Sequence, residues 1–151
     1  VDFIIAGGND ALLNAVENAE DNVNLAKKTV KLKSLNTKDV IIGLAASGNT
    51  PYTNKVIEMS RELGALTVGI SNNPFGLILT NSEIGIFLDT QGELVAGSTR
   101  LKAGTSQKIC LNTISSMVMV KMGRVKNGIM SHMVPTNEKL RHRKLMINKQ
   151  L

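Results

Sequence analysis

The amino-acid sequence predicts an α/β fold built on a parallel sheet. Three aliphatic runs have the length of buried strands, namely Val40–Leu44, Leu66–Ile70 and Ile84–Leu88. Helical or turn-forming segments separate them, and the order β-α-β-α-β is typical of parallel strands joined by right-handed crossovers. Hydrophobic residues make up 42% of the 151 residues and aromatic residues only 3%. This composition suits the aliphatic strands of a buried parallel sheet.

Three elements are predicted before these strands. Asp2–Ala6 has the pattern of a short buried strand, which the glycine at position 7 stops. Apolar residues then recur at helical spacing across residues 11–19 and predict a first helix. The same spacing predicts a second helix from near Asp21 to Leu32.

The elements that follow the first long strand have clear boundaries. Pro51 stands at a first helical position and Gly64 at a helix end, which predicts one helix between them. From Ala103 to Met122 the pattern is helical and apolar on most sides, so we expect a buried helix, and a dimer interface is one place where it can be buried. Thr136–Glu138 is the predicted cap of a basic last helix.

The net charge narrows the classes of ligand. Formal net charge is +6, and basic residues gather at Lys27–Lys33 and Lys139–Lys149. No aromatic residues lie among them to stack on bases, so nucleic acid is disfavoured as a partner. A small anionic ligand, attracted by a mildly positive surface, suits the same charge.

The cysteine and histidine content indicates neither a disulfide nor a metal site. Cys110 is the only cysteine, which makes a reducing cytoplasm the expected setting, and its apolar surroundings favour packing over a catalytic thiol. His132 and His142 lack metal-ligand spacing. No apolar stretch approaches the length of about 18 residues that a membrane span needs, and no signal peptide is visible. The chain starts without Met and directly on a strand pattern, which indicates a fragment.

The connection Ala45–Thr50 is the best candidate for a ligand site. Open α/β sheets bind ligands beyond the carboxyl ends of their strands, where this connection lies. Ser47 and Thr50 offer hydroxyl groups, and the N–H groups that open the Pro51 helix can hold an anion. Gly48 lets the backbone approach a phosphate closely. A capped turn without a ligand explains the residues equally well, because Ser and Thr cap many helices.

Other connections offer weaker signals. Ser71–Pro74 and Gly7–Asp10 are expected at the same edge of the sheet. Glu20 belongs to an acidic group at a predicted helix end. A carboxylate there could move protons near a sugar, although a solvated helix end explains it better from the residues alone. Arg100 and Lys102 could reach an anion, although a solvated loop is the more ordinary explanation.

Five segments of the chain form a set of motifs. They read VIIGLAASGNTPY at Val40–Tyr52, GSTRLKAGTSQK at Gly97–Lys108, TNEKLR at Thr136–Arg141, IIAGG at Ile4–Gly8 and AVENAED at Ala15–Asp21. Together they closely resemble the N-acetylmuramic acid 6-phosphate etherases of the sugar isomerase (SIS) superfamily. The serine-glycine loop alone would indicate only a generic SIS domain, whereas the second and third motifs, in this order and spacing, are far more specific.

This resemblance implies a fold and an activity. The fold is an SIS-type three-layer sandwich, in which helices flank a mainly parallel, flavodoxin-like sheet. The activity is that of a cytoplasmic, homodimeric lyase, which cleaves the D-lactyl ether of N-acetylmuramic acid 6-phosphate by elimination followed by addition of water. The resemblance implies no metal or redox cofactor, and a phosphosugar rather than nucleic acid or a membrane as partner.

The resemblance also assigns roles to residues. Glu20 matches one of two catalytic glutamates of the family, and its task as acid or base stays open. The residues expected to bind the phosphosugar are Ser47, Gly48, Asn49, Thr50, Ser98, Thr99 and Lys102. Two positions depart from the family pattern, since Asn49 replaces the usual Arg and Asn72 replaces a common Cys. The first departure lowers the positive charge of the loop.

The family pattern includes an upstream region that these residues lack. It holds a strand, a GTSGRLG-like loop and a DASE-like segment, which supply the other glutamate and a second wall of the pocket. We therefore expect a longer native protein, with the first strand of the sheet missing here and this fragment alone inactive. Residues 1–136 are the expected SIS domain, N-terminally incomplete, and residues 137–151 the start of a C-terminal helical region.

Two other functions fit parts of the pattern. A non-catalytic phosphosugar-sensing SIS domain of a regulator is the main alternative, and it would not need Glu20. An aldose–ketose isomerase of the same superfamily would explain the phosphate loop. It would leave GSTRLKAGT and TNEKLR without an explanation.

Overall fold

The computed structural model describes residues 1–148 and confirms the predicted α/β class. The chain divides into two compact units, Val1–Gln107 and the residues from Lys108 onward. In the first unit, three strands form a parallel sheet in the order β1-β2-β3, with helices packed against it. The strands are β1 (Val40–Leu44), β2 (Leu66–Ser71) and β3 (Ile84–Phe87).

Helix α2 is the central helix of the first unit. It spans Pro51–Glu62 and packs against β1 and β2 as well as against α1 (Val23–Lys33) and α3 (Leu77–Asn81). Pro51 lies at its predicted first position, where the missing N–H costs nothing. Gly64 follows its end with a φ of +82°, the left-handed conformation that glycine adopts without strain.

Two buried clusters hold α2 in place. On one side, Tyr52 and Val56 of α2 pack with Ala26 and Val30 of α1. On the other side, the fully buried Ile57 packs with Ala45 and Ile78. Because both sides of α2 are buried, its first turn is fixed relative to the end of β1, and so is the connection between them.

Asp2–Ala6 is not the strand that the sequence predicted. The segment is irregular, and no strand pairs with it among residues 1–148. A strand depends on hydrogen bonds to a neighbour. The apolar pattern is satisfied in another way, because Ile4 and Ala6 pack against the cluster between α1 and α2.

The first predicted helix, across residues 11–19, is also not formed. The chain makes two short 3-10 helices instead, Gly8–Leu12 and Ala19–Asp21. Leu13 is 88% exposed, so the predicted apolar face has no core to pack on, and short helices depend on such packing. Ala19 is buried, and its turn packs against α2. The second predicted helix is confirmed as α1.

The second unit holds most of α4, a small hairpin and α5. Helix α4 spans Lys102–Lys121 and begins in the first unit. The hairpin pairs β4 (Val125–Lys126) with β5 (Ile129–Met130), and α5 spans Glu138–Asn148. The predicted cap of α5 is confirmed, because the Asn137 Oδ1 accepts a hydrogen bond from the Leu140 N–H at 2.9 Å. Residues 149–151 of the predicted C-terminal helical region lie outside the described residues.

Within the single chain α4 is mostly exposed, so its predicted burial in a dimer interface stays a prediction. Ala103 is its one buried residue. Near its end, Met117 is 51% exposed and Val118 is 46% exposed. Cys110 is half-buried rather than fully packed. None of the described helices, α4 included, is both long enough and apolar enough to cross a membrane.

Candidate functional site

The loops that follow β1 and β2 are tied together at the carboxyl edge of the sheet. The Asn72 N–H donates a hydrogen bond to the Ala46 carbonyl oxygen at 3.0 Å. The Asn73 side chain donates another to the Ser47 carbonyl oxygen, also at 3.0 Å. The structure thus brings together the connections Ala45–Thr50 and Ser71–Pro74, as the sequence predicted. The third connection, Gly7–Asp10, hydrogen-bonds only within its own stretch of chain.

Two glycines let these loops touch through their backbones. Gly48 has a φ of +73°, and a Cβ atom built on it would lie 2.3 Å from the Gly76 Cα. A Cβ atom on Gly76 would lie 2.7 Å from the Gly48 Cα. The Gly48 carbonyl oxygen also accepts a hydrogen bond from the Ile78 N–H at 2.9 Å. Glycine is therefore required at position 48 by the neighbouring loop and by the backbone conformation, apart from any ligand.

The three polar side chains of the Ala45–Thr50 loop have different environments. Ser47 is exposed, and its Oγ accepts a hydrogen bond from the Asn49 N–H at 3.2 Å. The Asn49 Oδ1 accepts from the Leu77 N–H at 3.0 Å, so this side chain caps α3. Thr50 is the residue before α2, but its side chain makes no capping bond. The hydroxyl groups of Ser47 and Thr50 can therefore donate to an anion, while Asn49 is engaged.

Asn54 supports the loop from within α2, a role that the sequence analysis missed. Its Nδ2 donates to the carbonyl oxygens of Gly48 at 3.0 Å and Thr50 at 3.1 Å. These bonds turn both carbonyl groups toward the helix. The first N–H groups of α2 have no acceptor within the helix. The positive end of the helix dipole thus lies beside the two hydroxyl groups, a combination that suits an anion.

Glu93 caps the N-terminus of α4 and was also missed. Its Oε1 accepts from the Ala103 N–H at 2.9 Å, and its Oε2 accepts from the Lys102 N–H at 3.0 Å. The bond from Ala103 is the main cause that lowers the pKa of Glu93 below its usual range, with smaller contributions from the Lys102 N–H and ammonium. This helix end is consequently occupied by the protein's own carboxylate.

The predicted binding residues Ser98, Thr99 and Lys102 lie on the segment that leads into α4. Ser98 is half-buried, whereas Thr99 and Lys102 are exposed. The Gly104 N–H donates to the Thr99 carbonyl oxygen at 2.9 Å, so the segment joins the first turn of α4 without a break. The Thr99 and Lys102 side chains are thus open to solvent, and Glu93 holds the backbone at the end of this segment.

Glu20 lies apart from both segments. It is exposed in the Ala19–Asp21 turn, beside the buried Ala19, and that turn packs against α2. No side-chain hydrogen bond in the described part of the chain links Glu20 to the Ala45–Thr50 loop. The link between Glu20 and the loop is therefore indirect, through the packing of its turn on α2.

Two surface hollows lie elsewhere. One of about 410 Å³ is lined by residues of α2 and α3, namely Glu58, Arg61, Glu62, Thr80 and Asn81. Another of about 320 Å³ lies between α1 and the second half of α2. Neither includes a residue of Ala45–Thr50. We define the candidate site by its hydrogen-bonding groups, because the hollows are at the opposite end of α2 from those groups.

The fold and the loop define a class of protein. A parallel sheet whose first loop opens onto the N-terminus of α2 is the arrangement expected of an SIS domain, and the family model of the glucokinase regulatory protein N-terminal SIS domain matches residues 1–61. The chain is 45% identical over 93% of its length to an N-acetylmuramic acid 6-phosphate etherase of Deinococcus radiodurans. The corresponding values are 44% and 91% for the protein of that name from Pasteurella multocida, and 44% and 97% for that of Escherichia coli.

The chain belongs to the family of these etherases, as its motifs predicted. It spans about half the length of the curated relatives it matches, with 46% of the Deinococcus and Pasteurella proteins covered and 49% of the Escherichia coli protein. The predicted division of the chain at residue 136 stays a prediction.

The contact between Gly48 and Gly76 leads to a prediction about anion binding. Gly76→Ala places a Cβ atom 2.7 Å from both the Gly48 Cα and the Ser71 Oγ, so the loops must move apart. We expect the dissociation constant for inorganic phosphate, measured by calorimetry, to rise about tenfold or more. Gly92→Ala is the matched control, because no heavy atom lies within 4 Å of its Cβ position. Equal effects of the two substitutions would contradict the assignment.

The lowered pKa of Glu93 leads to a prediction about pH. A carboxyl group whose pKa is lowered by folding stabilises the fold above its unfolded pKa, about 4.3 for glutamate, and loses that effect as the pH falls through the folded value. Glu93→Gln should therefore lower the melting temperature at pH 7, and the difference from wild type should shrink below about pH 4. Glu17→Gln, at an exposed glutamate, is the control. A difference that does not change with pH would show that the charge of Glu93 is irrelevant.

Proposed function

We propose that the complete protein is a lyase that cleaves the D-lactyl ether of N-acetylmuramic acid 6-phosphate, releasing N-acetylglucosamine 6-phosphate and D-lactate. The observation that carries this proposal is the identity of 42–46% with proteins named for that activity, over 91–97% of the chain. The chemistry of the Ala45–Thr50 loop supports the binding part of the proposal, because its free donors suit a phosphate group.

In this proposal the 6-phosphate is bound at the N-terminus of α2. The hydroxyl groups of Ser47 and Thr50 and the first N–H groups of the helix donate to it, and Gly48 keeps the backbone close. Asn49 contributes no charge, and its side chain is held by the Leu77 N–H. Ser98, Thr99 and Lys102 bind the same ligand from the segment that leads into α4, where Lys102 supplies a positive charge.

The proposed reaction is an elimination followed by a hydration. In the open-chain sugar the aldehyde at C1 acidifies the proton on C2. A base removes this proton, and lactate leaves from C3 with the electrons of the ether bond. Water then adds its hydroxyl group to C3 and a proton returns to C2, so that sugar and lactate are released without net oxidation or reduction. These steps require groups that can both accept and donate a proton.

Glu20 is the proposed catalytic residue of this chain. Its exposed carboxylate can exchange protons with a bound substrate, and the turn that carries it packs against α2, whose first residues flank the proposed phosphate site. The family pattern assigns a second carboxylate to a region that is not among these residues. Under this proposal the protein works in the cytoplasm, in amino sugar catabolism and the recycling of cell-wall sugar.

The role of Glu20 is tested by Glu20→Gln in the complete protein. We expect D-lactate release from N-acetylmuramic acid 6-phosphate to fall about a hundredfold or more, because an amide cannot transfer the proton. Binding of the substrate should stay within about threefold, since Glu20 does not hold the phosphate. Glu17→Gln is the matched control from the same acidic segment. Near-normal turnover of Glu20→Gln would remove Glu20 from the mechanism.

The same assay decides between the enzyme and a phosphosugar sensor. An active lyase releases one D-lactate for each ether bond cleaved. A wild-type protein that binds N-acetylglucosamine 6-phosphate and releases no lactate from the ether substrate would overturn the catalytic proposal and leave the binding proposal standing.

We also propose that the protein is a homodimer and that α4 contributes to its interface. The apolar side chains near the end of α4 are about half exposed in the single chain, Val118 at 46%. Exposed apolar surface of this kind is typical of an interface. Val118→Glu should shift the mass measured by light scattering toward the monomer, because a carboxylate buried without a partner is unfavourable. Asn112→Glu, at an exposed polar position of α4, is the control. A monomeric wild type would contradict the proposal.

A further inference from the structure

Asn72, the residue that follows β2, hydrogen-bonds to three separate parts of the first unit. Its backbone N–H donates to the Ala46 carbonyl oxygen at 3.0 Å. Its side-chain Nδ2 donates to the Leu88 carbonyl oxygen at 3.0 Å and to the Ser106 Oγ at 2.9 Å. Its Oδ1 accepts from the Gln107 Nε2 at 2.9 Å. One residue thus joins the loop after β1, the end of β3 and the first turns of α4.

The partners of Asn72 fix the orientation of its amide group. The Leu88 carbonyl oxygen can only accept, and the Gln107 Nε2 can only donate. The Ser106 hydroxyl gives its hydrogen to a carbonyl oxygen of the preceding turn at 2.8 Å, so it accepts from Asn72. The Thr90 Oγ1 is a more distant acceptor at 3.4 Å. Since the nitrogen carries two hydrogens, the two short bonds use both, and a flipped amide would face like groups.

Asn72 provides the hydrogen bonds between the loops after β1 and β2 and the first turns of α4. Within residues 1–107, every hydrogen bond from Ser98–Gln107 to the loops after β1 and β2 involves Asn72. The segment Ser98–Lys102 continues directly into α4. The Glu93 carboxylate accepts hydrogen bonds from the first two N–H groups of that helix. If the Asn72 side chain shifted, α4 would shift with it, and so would the segment Ser98–Lys102 that leads into α4. The loop Ala45–Thr50 would stay in place, because it is bonded to the Asn72 backbone N–H.

We propose that Asn72 is a positioning residue, which sets the distance between the phosphate-binding loop Ala45–Thr50 and the segment Ser98–Lys102, so that one phosphosugar contacts both. This inference rests on the proposed binding function. Asn72 itself does not contact the ligand, because its amide groups are used by the protein. A hexosamine phosphate, which extends from one segment to the other, depends on that distance, whereas inorganic phosphate depends only on the loop.

The test compares two ligands in the complete protein. For Asn72→Ala we expect the dissociation constant of N-acetylglucosamine 6-phosphate to rise about tenfold or more, because small displacements of binding groups have large effects. The dissociation constant of inorganic phosphate should stay within about twofold, because Asn73 and Leu77 still hold the loop. An equal loss for both ligands indicates a merely structural role and overturns the proposal, as does the absence of any change.

Gln107→Ala provides a second route if Asn72→Ala does not fold. The Gln107 side chain hydrogen-bonds to the Asn72 Oδ1, so its loss should shift affinity for the hexosamine phosphate in the same direction and by less. The double variant should be no weaker than Asn72→Ala alone, because both residues act through one interaction. Additive effects would overturn the proposal. Asn24→Ala, at an exposed position of α1, is the control.

Measurements on the wild-type protein distinguish a failure of this inference from a failure of the proposed function. If the wild-type protein binds N-acetylglucosamine 6-phosphate but releases no lactate, the proposed reaction fails, and the ratio of the two affinities still tests Asn72. If the wild-type protein binds neither ligand, the site itself is wrong and both proposals are overturned.

Discussion

Where the loops after β1 and β2 meet, no side chain separates Gly48 from Gly76. A Cβ atom on either glycine would come within 2.7 Å of the other residue's Cα, so the loops can only pack in this way if both positions lack one. The contact lets the Asn73 side chain and the Leu77 N–H reach the Ala45–Thr50 loop. It therefore sets the conformation in which the donors at the start of α2 are presented, before any ligand binds.

The elements that could be predicted are those whose signals are local. The aliphatic runs gave β1, β2 and β3, and Pro51 and Gly64 marked both ends of α2. Asp2–Ala6 has an equally apolar pattern but is irregular, since a strand also requires a neighbour that hydrogen-bonds to it. For a related reason α4 is mostly exposed in the single chain, because an apolar helix is buried only where another surface covers it.

In the candidate site, too, features with a local sequence signal could be predicted, whereas features that depend on tertiary contacts could not. The Ser-Gly loop is visible in the sequence because a strand, a glycine and a proline-started helix follow one another directly. Asn54, Asn72 and Glu93 act through bonds that the fold creates, and Glu93 caps a helix that starts nine residues after it. Capping residues usually stand immediately before their helix. The binding roles of Ser47, Thr50, Ser98, Thr99 and Lys102 and the catalytic role of Glu20 remain proposals.

The Glu93 carboxylate at the start of α4 has an electrostatic consequence for ligand choice. The two longer helices that follow strands of the sheet, α2 and α4, each have a positive pole at their N-terminus, and such a pole attracts an anion. At α4 that pole is already neutralised by Glu93, whereas at α2 no carboxylate occupies it. Of these two helix N-termini, only that of α2 is therefore open to an anion. Under the proposed function, a single phosphate would be bound at α2, and a second phosphate placed at the start of α4 would be repelled by the Glu93 carboxylate.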